Sequence, residues 1–484
     1  MLAKIKKDWF SNTRADILSG MVVSLALMPE VIAFSIIAGV EPIIGLYTSI
    51  CIAIIISFAG GRPAMISAAA GSMALVMGPL VREHGLDYLF AATILTGMIQ
   101  VVFGVCKIAN LMKFIPRAVM MGFVNALAIL IFIAQIPNFW NISNTTYLFV
   151  IITLLIVYIL PRFIKSIPAP LIAIIILTAA SLFGNVQIGT VGDLGAITKT
   201  LPSFLIPDIP FSLETLAIIF PYSLALALVG LLESLLTATI VDDATGTGSN
   251  KNKEARGQGI ANIITGFFGG MAGCAMIGQT AINLKSGGRT RLSTFVSGVF
   301  LLILILLLGE LVAKIPMPVL AGIMIVVSIS TFDWSTFSYL KKAPKTDITV
   351  MLLTVCIIVA TNDLSKGVIA GVILSAIFFV AKISKVKVKN QNNHIYIVEG
   401  QLFFASTEDF ISSFNFHVEN NTIKIDFSKA RVWDDSAVGA LDKVIQKYQE
   451  NQNTVFIHGL DANSQKLVDK LAVFQGEQEK VSSN

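Results

Sequence analysis

The sequence predicts a membrane-embedded all-α body of about 14 transmembrane segments, followed by a small α/β domain. Three observations support this fold class. Of the 484 residues, 55% are hydrophobic and 13% are charged, whereas a soluble domain carries about 25% charged residues. The charges are concentrated at one end, since residues 384–484 hold 24 of the 65 and residues 1–383 hold the other 41. Apolar runs of spanning length also repeat along the first 383 residues.

The predicted body contains fourteen apolar segments, separated by polar residues or by Pro and Gly. They lie near residues 17–40, 43–59, 64–80, 88–106, 118–135, 146–160, 169–183, 213–241, 259–271, 275–283, 292–311, 319–331, 348–361 and 368–381. With this count, 20 of the 24 Lys and Arg residues in the body fall on one side of the membrane. Because basic loops stay inside, both termini are predicted to be cytoplasmic. The membrane is expected to be a bacterial plasma membrane.

The third and tenth segments are short and rich in small residues. Residues 64–80 read AMISAAAGSMALVMGPL, residues 275–283 read AMIGQTAIN, and a Gly-Gly pair precedes each. They hold corresponding places if the body consists of two seven-segment repeats, about residues 15–190 and 211–382. Since seven is odd, the repeats would be inverted in the membrane. Such paired, Gly-interrupted segments indicate a binding site at the bilayer midplane, although close helix packing alone also selects small residues.

The beginnings of these two segments predict an anion site. Two half-helices that start there would direct backbone N–H groups and positive dipole ends into the gap between them. Small residues would let a ligand approach the backbone. The residues at these starts are Ala70, Gly71, Ser72 and Met73 in the first repeat, and Ala275, Met276 and Ile277 in the second.

Two carboxylates, Glu30 and Glu233, lie inside apolar segments. An ionisable group in hydrocarbon costs several kcal/mol, so each is a functional candidate; the alternative is a protonated Glu that is hydrogen-bonded across helices. Thr237 lies one turn after Glu233 on the same helix face. Oxygen ligands on one face suit Na⁺, and a carboxyl can instead carry H⁺. We therefore expect Glu233 and Thr237, together with Ala275 and Glu30, to form the ion-coupling site.

Other function classes find no support in the sequence. Its four His residues are scattered, and HExxH, GxSxG and Walker motifs are absent. The four Cys residues are far apart, which excludes a disulfide scaffold, and the net charge of +5 comes from loop residues. The chain is predicted to be neither an enzyme nor a nucleic-acid-binding protein, and to need no cofactor beyond a coupling Na⁺ or H⁺.

After the last apolar segment the sequence becomes more polar, and its hydrophobic pattern changes. Residues 384–392 are predicted to be a basic linker, and residues 393–484 a separate domain. Within it, HIYIVEG, QLFFAS, TIKIDFS and TVFIHGL are typical of strands, whereas SAVGALDKVIQKYQE and SQKLVDKLAV are typical of helices. Strands that alternate with helices predict an α/β fold.

Several of these stretches resemble the SulP family of anion transporters. They are DILSGMVVSLALMPEVIAFSIIAGVEPIIGLYTS from Asp16, GGRPAMISAAAGSMALVM from Gly60, VGLLESLLTATIVDD from Val229 and GQGIANIITGFFGGMAGCAMIGQTAINLKSGGRTRLS from Gly257. The tail resembles the STAS domain of that family, with the motif IDFSKARVWDDSAVGAL. The resemblance implies a seven-plus-seven inverted repeat, a core unit that moves against a gate unit in an elevator-type cycle, and a homodimer.

The resemblance also implies roles for particular residues. The cation-linked position falls on Glu233, with Thr237 one turn later, and the substrate-facing helix starts fall on the residues given above. In the tail, Ser436 is either a regulatory phosphorylation site or a helix N-cap. Three departures from the usual family pattern are Ala70 for a hydroxyl residue, Gln279 for an Arg, and Glu30 for a Gln or apolar residue. Because the chain has Gln279 where many members have an Arg, and retains Glu30 and Glu233, cation-coupled import is a more plausible activity for it than anion exchange.

These observations predict a plasma-membrane transporter of bicarbonate, sulfate or a small carboxylate, coupled to Na⁺ or H⁺. Membrane lipid, a second copy of the chain and an unknown partner of the STAS domain are the other expected partners. Two alternatives remain: a proton-coupled transporter of nucleobases or other neutral solutes, and a membrane sensor that signals through its STAS domain.

Overall fold

A computed structural model describes residues 8–163, 168–184, 186–195, 200–392, 394–473 and 477–478. The chain divides into two compact units, residues 1–372 and 373–484. The first unit is helical, and nine helices in the described part of the chain are long and apolar enough to cross a membrane. Together with shorter apolar helices, they make the body a multi-pass membrane protein.

Fourteen main helices in the described residues correspond to the fourteen predicted segments. The first repeat contains α1 (Thr13–Ala38), α2 (Pro42–Ala59), β1 (Ser67–Ala68), α3 (Gly71–His84), α4 (Leu86–Val105), α5 (Arg117–Gln135), α6 (Asn144–Ile159) and α7 (Ala169–Phe183). The second contains α8 (Leu213–Thr245), α9 (Lys251–Phe267), β2 (Cys274–Ala275), α10 (Ile277–Lys285), α11 (Arg291–Ala313), α12 (Met317–Thr331), the additional short α13 (Thr336–Lys342), α14 (Lys345–Thr361) and α15 (Leu364–Ile383).

One helix boundary differs substantially from its prediction. The ninth segment is predicted to begin at residue 259, because residues 251–258 are polar and resemble a loop. In the structure α9 begins at Lys251, where the Asn250 side chain accepts a hydrogen bond from the Lys253 N–H at 2.9 Å and caps the helix. Polar residues that the sequence places outside the helix therefore belong to it.

The helices pack in two groups that interleave the repeats. Helices α1–α4 pack with α8–α11, and α5–α7 pack with α12 and α14. Glycines allow close contact within the first group: a Cβ added at Gly97 on α4 would lie 2.4 Å from the Gly259 carbonyl oxygen on α9. Such small-residue contacts let membrane helices approach backbone to backbone. The first group meets the second mainly through α1 and α3.

The second unit has a five-stranded mixed sheet. Its strands lie in the order β3 (Lys387–Gln391), β4 (Ile395–Leu402), β5 (Thr422–Val432), β6 (Thr454–His458) and β7 (Glu477–Gln478), and its helices are α16 (Thr407–Ser412), α17 (Asp435–Glu450) and α18 (Ala462–Leu471). The β3–β4 pair is antiparallel, and the other pairs are parallel. An apolar core that includes Tyr396, Phe427 and Tyr448 lies within this unit.

Two sequence-based assignments in this unit require correction. The predicted linker at residues 384–392 contains β3, which pairs with β4 from Lys387–Glu399 to Gln391–Ile395, because alternating Lys and Val residues suit an edge strand. HIYIVEG and the start of QLFFAS, predicted as two strands, form the single strand β4. Part of the predicted domain 393–484 lies outside the described residues, namely 393, 474–476 and 479–484.

Candidate functional site

The two half-helices start on either side of a strand crossing in the middle of the body. β1 and β2 pair antiparallel, with Ser67 opposite Ala275 and Ala68 opposite Cys274. Because each strand leads directly into its half-helix, α3 and α10 leave the crossing in opposite directions. Their N-cap residues, Ala70 and Met276, have extended backbones, and no side chain caps either helix. The first-turn N–H groups of both helices thus remain available to a ligand.

Side chains from neighbouring helices satisfy the irregular backbone around the crossing. This is required in a membrane, where an unpaired backbone group has no water to bind. The N–H donors and their acceptors are Ile66 with Thr280 Oγ1 (3.0 Å), Ala69 with Ser49 Oγ (3.2 Å), Met271 with Thr48 Oγ1 (2.8 Å), Gly273 with Asn262 Oδ1 (2.9 Å) and Ala275 with Ser234 Oγ (3.1 Å). None of these acceptors is among the predicted site residues.

Glu233 on α8 connects the two half-helix starts. Its carboxylate is buried, with 7% of the residue exposed. Oε2 accepts a hydrogen bond from the Ser72 hydroxyl in the first turn of α3, and another from the Cys274 thiol on β2 at 3.3 Å. The Thr237 hydroxyl is also buried and donates to the Glu233 carbonyl oxygen at 2.7 Å, so only its oxygen lone pairs remain for a cation.

Glu30 on α1 faces the second half-helix. Its carboxyl interacts with the side-chain amide of Gln279 in the first turn of α10. No hydrogen bond of good geometry joins them, and both amide atoms of the fully buried Gln279 lack a partner among the described residues. One turn beyond Glu30, the Phe34 ring packs so closely on Gly71 that a Cβ there would lie 2.7 Å from it. The acid therefore lies beside the start of α10, and its neighbour one turn along α1 packs on the start of α3.

The predicted helix-start residues differ in accessibility. Ala70, Gly71, Ser72 and Met73 are all buried, as are Ala275 and Met276, whereas Ile277 is half-buried. The next residue, Gly278, is exposed, and a Cβ added there would meet no atom within 4 Å. The open space at the crossing therefore lies beside α10 rather than beside α3.

A buried acid on α9, Glu254, is missing from the sequence prediction. It is fully buried and accepts hydrogen bonds from the backbone N–H groups of Gly61 at 2.6 Å and Arg62 at 3.1 Å. It also accepts one from Gln258 Nε2 at 3.0 Å, and Gln258 donates to Ser67 Oγ at 2.6 Å. Glu254 thus holds the loop that leads into β1 and α3. The four-residue spacing of Glu254, Gln258 and Asn262 on one helix face was a signal that could have revealed it.

In the STAS-like unit, Ser436 is exposed in the first turn of α17. The N-cap of this helix is Asp434, whose Oδ1 accepts a hydrogen bond from the Ala437 N–H at 2.9 Å. An N-cap residue precedes the first helical residue, whereas Ser436 is the second residue of α17. The interpretation of Ser436 as the N-cap is therefore wrong. Its assignment as a regulatory site stays a prediction.

The four cysteines are free thiols, and no group of three or more His, Cys, Asp or Glu residues in the described ranges could hold a metal ion. A cation at Glu233 would therefore depend on hydroxyl and backbone oxygens in addition to one carboxylate. Such a ligand set suits Na⁺ or a proton better than a transition metal.

Comparisons with known proteins agree with this architecture. A family model described as "Sulfate permease family" matches residues 13–157 and 141–354, and a model of the "STAS domain" matches residues 384–483. The Bacillus subtilis protein named "Putative sulfate transporter YbaR" is 58% identical over 472 residues, which cover 97% of this chain and 99% of that protein. The Synechocystis protein named "Bicarbonate transporter BicA" is 27% identical over 527 residues, covering 97% of this chain and 92% of its own.

Solved structures show the same fold. The transmembrane domain of a cyanobacterial bicarbonate transporter BicA superposes with a TM-score of 0.66 at 27% identity, covering 75% of this chain and 98% of that one. Murine Slc26a9 in its inward-facing state reaches a TM-score of 0.82 at 17% identity, with coverage of 97% and 89%. The resemblance drawn from the sequence motifs is confirmed: the chain belongs to the sulfate permease family of membrane transport proteins and carries a C-terminal STAS domain.

Proposed function

We propose that the chain is a secondary active transporter that carries a small anion across the plasma membrane together with Na⁺ or H⁺. The anion is bicarbonate, sulfate or a small carboxylate. Sulfate and bicarbonate occur in the names of relatives, and the uncapped starts of α3 and α10 provide N–H donors suited to an anion.

The observation that carries this proposal is the position of Glu233. Its carboxylate contacts Ser72 at the start of α3 and Cys274 just before α10. A cation bound at Glu233 would lie next to an anion held by the two helix starts, so each ion would favour binding of the other. Coupling between two sites is reciprocal and typically amounts to about 1–3 kcal/mol, a factor of roughly 5–150 in affinity.

Either coupling ion is compatible with the donor set. Na⁺ would take oxygen atoms from Glu233, Thr237 and Ser72, with Ala275 beside the site as a backbone neighbour. H⁺ would bind the Glu233 carboxyl directly, and Glu30 offers a second carboxyl near the same space. The two options differ in their gradient dependence, which uptake measurements separate.

Transport would proceed by an elevator-type movement of one helix group against the other. The core unit comprises α1–α4 and α8–α11, and the gate unit α5–α7, α12, α14 and α15. Many hydrogen bonds tie the core helices to each other, for example Ser24 to Ser297 at 2.6 Å, whereas the side chains between the groups belong to an apolar cluster. We further propose a homodimer with cytoplasmic termini, with the STAS domain binding an unidentified partner and Ser436 a candidate for its regulation.

Uptake into proteoliposomes tests this function. The full chain is supplied with a panel of anions while Na⁺ and pH gradients are varied separately. We expect Glu233→Gln to lower cation-driven uptake at least tenfold, consistent with the loss of a coupling of about 1–3 kcal/mol, while the protein stays folded because the amide still accepts the Ser72 hydrogen bond.

The matched control is Glu214→Gln, an exposed acid in the first turn of the same helix. It should leave uptake unchanged. Undiminished cation-driven uptake by the Glu233 variant, or equal losses in both variants, would refute the assignment of Glu233.

A further inference from the structure

Glu30 and Gln279 face each other beside the open start of α10. Glu30 is half-buried, and its carboxyl lies beside the side-chain amide of Gln279. Phe34, one turn later on α1, contacts Gly71 at the start of α3. The carboxyl of Glu30 therefore lies beside the start of α10, one helical turn from the side chain that packs on the start of α3.

Gln279 supplies the second observation. The residue is fully buried, its amide lies beside the Glu30 carboxyl, and neither Nε2 nor Oε1 makes a hydrogen bond of good geometry in the described parts of the chain. Buried side-chain amides are nearly always hydrogen-bonded, so an orphaned amide beside an open space indicates that a ligand completes it. Its Nε2 group can donate to an oxygen of a bound anion.

The chemistry of Glu30 restricts which anion fits. An ionised carboxylate accepts hydrogen bonds and donates none, so it attracts an oxygen that carries a proton and repels one that does not. At neutral pH sulfate and nitrate offer only acceptor oxygens, whereas bicarbonate and hydrogen phosphate each keep a hydroxyl. The positive ends of α3 and α10 can still bind the negative oxygens of either kind.

We propose that Glu30 and Gln279 select an oxyanion that retains a hydroxyl proton, and discriminate against anions whose oxygens are all acceptors. The hydroxyl donates to the Glu30 carboxylate. Gln279 Nε2 and the N–H groups at the helix starts donate to the remaining oxygens. This inference rests on the proposed function, because it assigns the substrate class of the same site.

Two matched pairs of anions test the proposal with the full-length wild-type chain in proteoliposomes. Bicarbonate and nitrate are both planar monoanions, and hydrogen phosphate and sulfate are both tetrahedral dianions at pH 8. Within each pair the main difference is one hydroxyl proton. We expect the hydroxyl-bearing anion to be taken up at least about tenfold faster at low concentration, because a site built to hydrogen-bond a hydroxyl rejects an analogue that lacks it.

The variant Glu30→Gln replaces an acceptor-only group with one that can also donate. It should raise uptake of sulfate and nitrate, and reduce the preference within each pair to about threefold or less. Glu41→Gln changes an exposed acid just beyond the end of the same helix and should keep the wild-type preference.

The proposal would be overturned if the wild type took up sulfate as fast as hydrogen phosphate or faster, and nitrate as fast as bicarbonate or faster. This holds whether or not the Glu30 variant folds. A preference that persists in folded Glu30→Gln would overturn it as well. If the wild type transports none of the four anions and no small carboxylate such as acetate, the proposed function fails instead. Ligand-induced shifts of the melting temperature in detergent then decide the inference, which requires larger shifts from bicarbonate and hydrogen phosphate than from their partners.

Discussion

The starts of α3 and α10 occupy equivalent places in the two repeats but differ in what surrounds them. The start of α3 is fully buried, and its Ser72 hydroxyl is bonded to Glu233. The start of α10 is more open, since Gly278 meets empty space and the Gln279 amide has no partner in the described residues. The inverted repeat thus yields two unequal ends, one hydrogen-bonded to a buried carboxylate and the other next to open space.

The loops that lead into the two half-helices are also anchored differently. A carboxylate, Glu254, binds the N–H groups of Gly61 and Arg62 before α3, whereas a neutral amide, Asn262, binds Gly273 before α10 through both its oxygen and its nitrogen. Hydrogen bonds to charged groups are stronger than neutral ones. The loop before α3 is therefore expected to be held more tightly than the loop before α10.

Replacing these anchors should produce the largest loss of stability. Glu254→Ala leaves two backbone donors unpaired and should lower the free energy of unfolding by about 2–4 kcal/mol, against about 1–3 kcal/mol for Asn262→Ala. Thermal unfolding of the detergent-solubilised chain measures both. A smaller effect for Glu254 than for Asn262 would contradict the difference between the two loops.

A pair of glycine substitutions compares the two helix starts directly. Gly71→Ala forces a Cβ to within 2.7 Å of the Phe34 ring and should cost about 1–3 kcal/mol of stability through overpacking. Gly278→Ala enters open space and should not lower stability, since Ala favours a helix over Gly by up to about 1 kcal/mol.

The same two variants should rank in the opposite order when uptake is measured, because the stable variant Gly278→Ala is the one expected to impair anion binding. If the anion binds beside α10, Gly278→Ala should raise the KM for the anion several-fold in a fully stable protein. The comparison of the helix starts would be wrong if Gly278→Ala left KM unchanged, or if Gly71→Ala proved as stable as the wild type.

The helix start in the STAS domain gives the smallest expected effect. Unlike α3 and α10, helix α17 has a side-chain cap, Asp434. Asp434→Ala should therefore destabilise the first turn by about 1 kcal/mol, whereas Ser436→Ala should be nearly neutral because Ser436 is exposed and does not cap. Hydrogen exchange of the first α17 amides in the full chain measures both, and a larger effect at Ser436 would restore it as the cap.

The sequence predicts the fourteen segments and the positions of both half-helices because apolar length and Gly-rich interruptions are local signals. It predicts Glu30 and Glu233 as well, since an acid within an apolar run stands out. Glu254 is missed because it lies in a polar stretch that resembles a loop. The acceptors Thr48, Ser49 and Thr280 could not be found either, because small hydroxyl residues are common in membrane helices and only the tertiary structure shows which backbone groups they satisfy.

The strand pair at the crossing also escapes prediction. Two residues are too few to show the alternation that identifies a strand, and their pairing joins positions more than two hundred residues apart. In the STAS domain, by contrast, β5 and α17 are long enough for their periodicity to be recognised, whereas β3 was mistaken for a linker because its lysines suggested a basic connector.

The hydrogen bond between Ser72 and Glu233 would have a consequence for coupling between the two proposed ions. A hydroxyl rotates readily to suit its neighbours. In the structure the Ser72 hydroxyl directs its proton at Glu233, and its lone pairs point elsewhere. Under the proposed function, a cation bound at Glu233 would turn this proton away and take the lone pairs as a ligand. The displaced proton would then be a new donor at the start of α3, so rotation of one O–H would couple cation binding to anion binding without any movement of the backbone.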